Sequence, residues 1–370
     1  MENTGETVIV SASLGFGHHR IAASIKEAMD EQGMSARIVD LLEEGRTLQG
    51  IGELYLAMLH NTPSIYGNAY FWSKKAGSGT GLFSLLCRKS LEKIRQRFQP
   101  AAFIFVHPLG AAAYRASCGV PGFAVMSDLA FHTAWFNREL WSYFVARETI
   151  KAALVKQGYP GEHVFCTGIP IAAAFGGGDR VDINAAGSMA DLAKPFVLIM
   201  GGGLGMGRIS ETAELLERLQ FPLEGAILTG HNRQLQQALA GRFKVSTKRW
   251  QILPFVERVE QLMCRADFLI SKGGAVTLSE AAACGLPVII HCPLPGQEED
   301  NAAVAVSEGW ACRTGDQDSL RKAVNSLLAP PGKREEMSRL ARAKAMPLAA
   351  KQIVQIICEA LKTWDWGKTS

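Results

Sequence analysis

Twice along this chain a short run of apolar residues ends in a glycine-rich turn that opens directly into a helical pattern. VIVSASLGFGHHRIAASI begins at Val8, and FVLIMGGGLGMGRISETAELL begins at Phe196. Apolar runs that do not alternate with polar residues are strands buried on both faces, which in soluble chains means parallel sheets covered by helices. Further runs of the same kind (AAFIFVH, GFAVMSD, YFVAR, HVFCTG, GAILTG, RWQILPF, FLISKGG, PVIIHC) alternate with helical patterns, the signature of an α/β chain. At 370 residues the chain exceeds what one core sustains, so the repeated opening implies two Rossmann-like domains in tandem. The Gly- and Asp-rich stretch FGGGDRVDINAAGSMADLAKP has no periodicity and reads as the linker. The expected division is residues 1–176, a linker at 177–194, a second domain at 195–345, and a last helix at 346–370 that completes either domain and is expected to pack back on the first. Parallel sheets in such a pair are expected to direct their strand ends to an interdomain cleft.

Composition narrows the partners. A formal charge of +4 with 20% charged residues lacks the dense positive field of a nucleic-acid binder, so no nucleic acid is expected. The eight cysteines form no C-x-x-C pair and read as reduced, buried thiols. No repeated His or carboxylate spacing suggests a metal site. No stretch reaches the roughly 18 apolar residues needed to span a bilayer, and the MENTGET start lacks the basic and apolar regions of a signal peptide.

One segment departs from the rest. Between Arg46 and Arg97 eight basic residues, including Lys74, Lys75, Arg88 and Lys89, face only Glu53 and Glu92. Leu48, Ile51, Leu54, Tyr55, Met58 and Leu59 share a helical face, and the aromatic stretch IYGNAYFW follows. An ordinary amphipathic helix beside a solvated basic loop accounts for this pattern. So does a docking surface for anionic lipid, which needs cations beside apolar and aromatic side chains.

Neither glycine turn is a dinucleotide fingerprint. After Gly15 and Gly17 the third glycine position holds Arg20, and Met206 and Arg208 break the spacing in the second turn. His18 and His19 fall in the first turn of the first helix, where the helix dipole disfavours a protonated imidazole and leaves it able to accept a proton. A surface or capping histidine is the plainer reading of that spacing. In SKGGAVTLSEAAACG, Thr277 and Glu280 fit a capping box at the start of a helix from about Val276 to Cys284. Alternatively Gly274, Ala275 and Thr277 meet a phosphate while Glu280 accepts ribose hydroxyls. Residues 297–301, QEEDN, follow a buried strand; Glu299 and Asp300 suit a helix N-terminus, whereas Gln297 and Glu298 suit the holding of sugar hydroxyls.

With these stretches placed, SASLGFGHHRIAASI, HPLGAAAYRASCGVPGFAVMSDLAFHTAWFN, TGHNRQL, SKGGAVTLSEAAACGLPVI and PLPGQEEDNA occur in an order that resembles the diacylglycerol glycosyltransferases. That family comprises monogalactosyldiacylglycerol synthase and the processive diacylglycerol glucosyltransferases. A more distant likeness is to the peptidoglycan N-acetylglucosaminyltransferase that acts on a lipid-linked precursor. The resemblance implies a GT-B fold and an inverting transferase without cofactor or catalytic metal. It would carry a hexose from UDP-glucose or UDP-galactose to diacylglycerol or another lipid acceptor. The enzyme would be cytoplasmic and peripheral, on an anionic membrane surface at the inner face of the cell membrane. Carried over by position, His18 is the base, with Asp128 orienting it or the acceptor, and Gly17, His19, His132 and Trp135 lie on the acceptor side. Gly203, Asn232, Phe255, Val256, Gly274, Ala275, Thr277, Glu280, Gln297, Glu298 and Asn301 would hold the donor, with Phe255 and Val256 offering backbone groups to uracil. Phe16, Ala275 and Asn137 depart from the family pattern. The same chemistry on a lipid-linked cell-wall precursor or a hydrophobic small molecule, a UDP-sugar epimerase, and a non-catalytic UDP-sugar sensor are the alternatives.

Overall fold

The computed structural model describes residues 5–61, 67, 82–176, 194–329 and 332–364. Lys74, Lys75, all of the aromatic stretch 65–72 but Gly67, and linker residues 177–193 lie outside that description. The chain divides into two units: Met1–Ala173 with Pro295–Gln297 and Met346–Ser370, and Ala174–Leu294 with Glu298–Ala345.

In the first unit β1 (Thr7–Ser11) is followed by α1 (Phe16–Glu31), β2 (Ala36–Asp40), α2 (Arg46–Asn61), α3 (Leu82–Phe98), β3 (Ala102–Phe105), α4 (Pro108–Ala113), β4 (Gly122–Val125), β5 (Ser142–Val145), α5 (Glu148–Lys156) and β6 (Val164–Cys166). The strands form one six-stranded sheet in the order β2-β1-β3-β4-β5-β6, every pair parallel. The order reverses between β1 and β3, and in open parallel sheets that point is where ligands bind, at the carboxyl ends of the strands. All residues of β1, β3, β4 and β5 are buried, the cause of their unbroken apolar runs. In α1 the buried positions Ile21, Ala22, Ile25, Ala28 and Met29 recur at three- and four-residue intervals and form its apolar stripe.

α2 and α3 divide their apolar residues. Leu48, Cys87, Leu91 and Ile94 are buried in the core, while Leu54 is 62% and Leu85 47% exposed. The single apolar face read from residues 48–59 is therefore split; the side chains of Tyr55 and Leu59 are outside the description. Lys89, Lys93 and Arg97 on α3 are exposed.

The second unit contains β7 (Phe196–Met200), α6 (Ile209–Arg218), β8 (Glu224–Leu228), α7 (Arg233–Arg242), β9 (Arg249–Leu253), α8 (Val259–Arg265), β10 (Phe268–Ser271), α9 (Ala275–Cys284), β11 (Val288–His291), α10 (Gln297–Ser307), β12 (Ala311–Thr314), α11 (Gln317–Leu328) and α12 (Lys333–Lys344). Its sheet runs β12-β11-β10-β7-β8-β9, again all parallel, so its switch point lies between β7 and β10. The last helix, α13 (Ala349–Thr363), belongs to the first unit and packs on α1. There Lys351 pairs with Glu31 at 2.8 Å, and Ala349, Ala350, Ile353, Val354 and Ile357 are buried. Among the described residues no helix is long and apolar enough to cross a membrane.

A buried polar knot fixes the turn between β4 and β5. Tyr143 Oη accepts from the backbone of Asn137 at 2.7 Å and lies 2.8 Å from the Trp135 carbonyl, to which it donates. The Asn137 amide donates to the carbonyls of Ala111 and Tyr114 at 2.8 and 3.0 Å, so this residue holds the end of α4. Tyr143→Phe leaves the Asn137 N–H without its acceptor and is expected to cost about 1–3 kcal/mol. A fall in the denaturation midpoint at unchanged slope checks this.

Candidate functional site

In the first unit the site grows from the turn after β1. Gly15, at φ 150°, precedes α1 in a conformation that side-chain-bearing residues rarely adopt. The turn is braced where Ser13 donates to Asp40, whose other oxygen accepts from the Leu42 backbone at 2.8 Å. His18, the third residue of α1, is half-buried, and its Nδ1 lies 2.8 Å from the carbonyl oxygen of Val106. A carbonyl only accepts, so Nδ1 carries the hydrogen and the neutral ring keeps its lone pair on Nε2. Burial pulls the His18 pKa down to about 4, against a smaller opposing contribution from the Val106 carbonyl. The imidazole is thus uncharged at neutral pH, with desolvation as the main cause.

The histidine that orients the neighbourhood is one the sequence reading passed over. His107, just past β3, is buried and caps α4 by accepting from Leu109 N at 3.2 Å through Nδ1. Its ring meets His18 edge-on, with centroids 4.5 Å apart and planes at 72°. Burial, with His18 adding to it, holds His107 well below the ordinary histidine pKa. His19 is exposed, so the doubled histidine resolves into one inward ring and one outward ring. Gly17 is half-buried in the same first turn.

Other residues assigned to this side have structural duties. His18 takes its orientation from the Val106 carbonyl, while Asp128 is buried in the loop after β4. His132 is buried and caps the short 3-10 turn Thr133–Trp135, accepting from Ala134 N at 3.0 Å. Trp135 is 1% exposed and part of the hydrophobic core.

In the second unit the glycine turn after β7 packs against the loop after β8. A Cβ on Gly205 (φ 61°) would come within 2.1 Å of the Thr229 carbonyl, so this glycine is required by close backbone packing. The Gly203 carbonyl accepts from His231 N at 2.8 Å, and Asn232 caps α7 by accepting from Leu235 N at 2.9 Å. Phe255, 38% exposed, stacks on His231 with ring centroids 4.6 Å apart, and Val256 beside it is half-buried.

At the switch point Lys272 follows β10, and a Cβ on Gly202 would lie 3.3 Å from its Cε. Its ammonium pairs with Glu298, whose other carboxylate oxygen accepts from Leu294 N at 3.0 Å. The helix after it begins one residue earlier than expected: Gly274 is the N-cap, without a side-chain cap bond, and Ala275 is the first helical residue. The capping box read from Thr277 and Glu280 therefore does not form, because Thr277 is already the third residue of α9. The first helical bond runs from Leu278 N to Gly274 O, so the N–H groups of Ala275, Val276 and Thr277 lie ahead of the helical ladder. Glu280, one turn on, is 0% exposed, and Asn301 on α10 is buried. Gln297, Glu298, Glu299 and Asp300 form the first turn of α10, and Glu299 pairs with Arg313 at 2.7 Å.

The geometry thus offers a neutral, oriented imidazole at one switch point. At the other it offers a cation and an open helix N-terminus, a combination suited to anions. Val106, His107, Lys272 and His231 had not been singled out. Lys272 and His107 do carry a signal, since each is the first polar residue after a buried strand.

Comparison with known proteins gives one match in each stretch of the chain. Residues 18–171 match the family described as monogalactosyldiacylglycerol (MGDG) synthase, and residues 196–353 match the glycosyltransferase family 28 C-terminal domain. Along its length the chain is 28% identical to a processive diacylglycerol beta-glucosyltransferase of Bacillus thuringiensis, over 96% of this chain and 93% of that protein. It is 27% identical to that of Bacillus licheniformis, over 96% of each. Among solved structures, MurG of Acinetobacter baumannii aligns with a TM-score of 0.63 at 19% identity, over 96% of this chain and 99% of MurG. The UDP co-structure of S. aureus MnaA aligns at 0.65 and 16%, over 97% and 98%. At those identities the structural likeness establishes the fold, which is GT-B. The first family description takes in β2 to β6 and the second the whole of the second sheet, and the sequence relatives run nearly end to end, so the chain is a glycosyltransferase that resembles the diacylglycerol glycosyltransferases in both halves.

Proposed function

We propose that this glycosyltransferase moves a hexose from a UDP-sugar, UDP-glucose or UDP-galactose, to the free hydroxyl of diacylglycerol at a membrane surface, with inversion and without a metal or cofactor. The observation that carries the chemistry is the neutral His18, held through Nδ1 with its Nε2 lone pair available. The acceptor rests on the names of the relatives, and the nucleotide on the UDP-bound neighbour.

In this reading the acceptor hydroxyl gives its proton to His18 Nε2 as its oxygen attacks the anomeric carbon from the face opposite UDP. The bond from that carbon to the diphosphate oxygen breaks, and inversion follows. Charge building on UDP is met by the N–H groups that open α9 and by the Lys272 ammonium. Glu280 accepts the ribose hydroxyls, and Gln297 and Asn301 with Glu298 face the hexose. Phe255 and Val256, backed by the His231 ring, flank the base. Exposed Leu54 and Leu85, with Lys89, Lys93 and Arg97, are the groups that would meet an anionic lipid surface. The corresponding location is peripheral, on the inner face of the cell membrane. A lipid-linked cell-wall precursor is the second acceptor to consider, because MurG shares the fold.

Mass spectrometry of lipids after incubation with membrane lipid extract and mixed UDP-sugars is expected to show hexosyl-diacylglycerol. Product on another lipid, with none on diacylglycerol, would replace the acceptor. His18→Ala is expected to lower turnover by about 10²–10⁴-fold while UDP affinity by calorimetry stays unchanged. Near-native turnover in that variant would remove the base assignment.

Two further outcomes follow from the same groups. Burial lowers His18 from 6.5 to about 4, so the acid limb of kcat/KM is expected near pH 4, with no inflection near 6.5. Between those values the unfolded chain binds more protons than the fold, so stability is expected to rise with pH across the window and to be complete above it. A pH series of thermal midpoints reads the sign. Glu280→Gln keeps the shape but weakens a charge-assisted hydrogen bond, and is expected to reduce UDP affinity about tenfold. Unaltered affinity would move the ribose elsewhere.

A further inference from the structure

No C-x-x-C motif exists in this chain, yet two of its cysteines, 20 positions apart, meet in the fold. Cys264 sits near the end of α8, and Cys284 is the last residue of α9. Their sulfur atoms are 3.1 Å apart, one thiol donating to the other, and both residues are half-buried. A disulfide needs about 2.05 Å between sulfurs, so closing the bond asks for a displacement of about 1 Å. Gly285, in the left-handed conformation at φ 62°, ends α9 directly after Cys284. The thiol therefore sits at a helix terminus, which Gly285 N and Leu286 N close by donating to the Ala282 and Ala281 carbonyls.

We propose that Cys264 and Cys284 form a reversible dithiol–disulfide site that clips α8 to α9. This goes beyond the transferase reading and does not rest on it. The hydrogen bond between the pair pulls the Cys264 thiol below the ordinary cysteine value, while the same bond and burial push Cys284 up. Cys264 is accordingly the thiolate that reacts first. With a hydroperoxide as oxidant, the Cys264 sulfur attacks the distal oxygen, the O–O bond breaks, and Cys264 becomes a sulfenic acid as an alcohol or water leaves. The Cys284 sulfur then attacks the Cys264 sulfur, the S–S bond forms, and hydroxide departs with the Cys284 proton as water. Both thiols are oxidised by two electrons in total, and the peroxide is reduced. A dithiol reductant reverses the step by exchange. The remaining six cysteines include no other sulfur pair joined in this way among the described residues. The clip acts on the helix whose first turn carries Ala275 and Thr277, so its closure is expected to slow amide exchange along α8 and α9.

The test treats the full-length reduced protein with hydrogen peroxide and counts thiols under denaturing conditions. Eight free thiols are expected to become six, with tandem mass spectrometry joining Cys264 to Cys284, and dithiothreitol restoring eight. Cys264→Ser is expected to abolish the bridge, and Cys292→Ser to leave it intact. Eight thiols surviving treatment, a bridge joining another pair, or a loss that reductant does not reverse would each overturn the proposal. Should Cys264→Ser fail to fold, Cys264→Ala and the wild-type peptide linkage still decide the matter.

Discussion

The hydrogen bond from His18 Nδ1 to the Val106 carbonyl is the contact on which the site of the first unit depends. It joins residues 88 positions apart, and only the sheet order makes it possible. β3 lies beside β1, and Val106 N donates to the Val10 carbonyl at 3.1 Å, which carries the ladder one step past the strand end. Within an extended strand, the N–H and C=O of one residue point to the same side. The Val106 carbonyl therefore faces the β1 side, where α1 begins after its short turn. Sheet topology, the Gly15 turn and the first helical turn together select one tautomer of one ring.

The second unit reuses that topology for a different task. Its switch point again lies beside its first strand, between β7 and β10, but the residue placed there is Lys272 rather than a histidine. Glu298 holds the ammonium, and the Leu294 backbone holds Glu298 in turn. A lysine stem packed near Gly202 carries its charge to the strand ends without burying it unpaired, which the low dielectric of the interior would penalise. The two sheets differ in what stands at equivalent places: one offers a lone pair to a proton, the other positive potential to an anion.

Much of this was legible in the chain itself, for reasons particular residues make plain. Runs such as FVLIM and AAFIF fail to alternate because both faces of a parallel sheet are covered, so the fold class followed from them directly. His18 was legible as a helix-start residue after a glycine turn. Its partner was not, because no spacing rule connects residue 18 with residue 106. Thr277 and Glu280 imitated a capping box, yet the helix starts at Ala275 and leaves the motif inside it. Trp135 in LAFHTAWFN carries no periodic signal of burial, and the 3-10 turn there places the indole in the core. The Asn137 amide is committed to two carbonyls at the end of α4, a structural use that no local pattern signals.

An imidazole with a pKa near 4 is a weak base, and its weakness and its constancy have one cause. The desolvation that strips the ring of affinity for a proton also keeps every molecule in the competent, unprotonated form across the neutral range. An alcohol does not surrender its proton to such a base in the ground state. In the proposed transfer its oxygen gains positive character as it bonds to the anomeric carbon and becomes far more acidic, so the proton would move late in the reaction. In the proposed transfer the ring therefore serves the transition state rather than the resting enzyme.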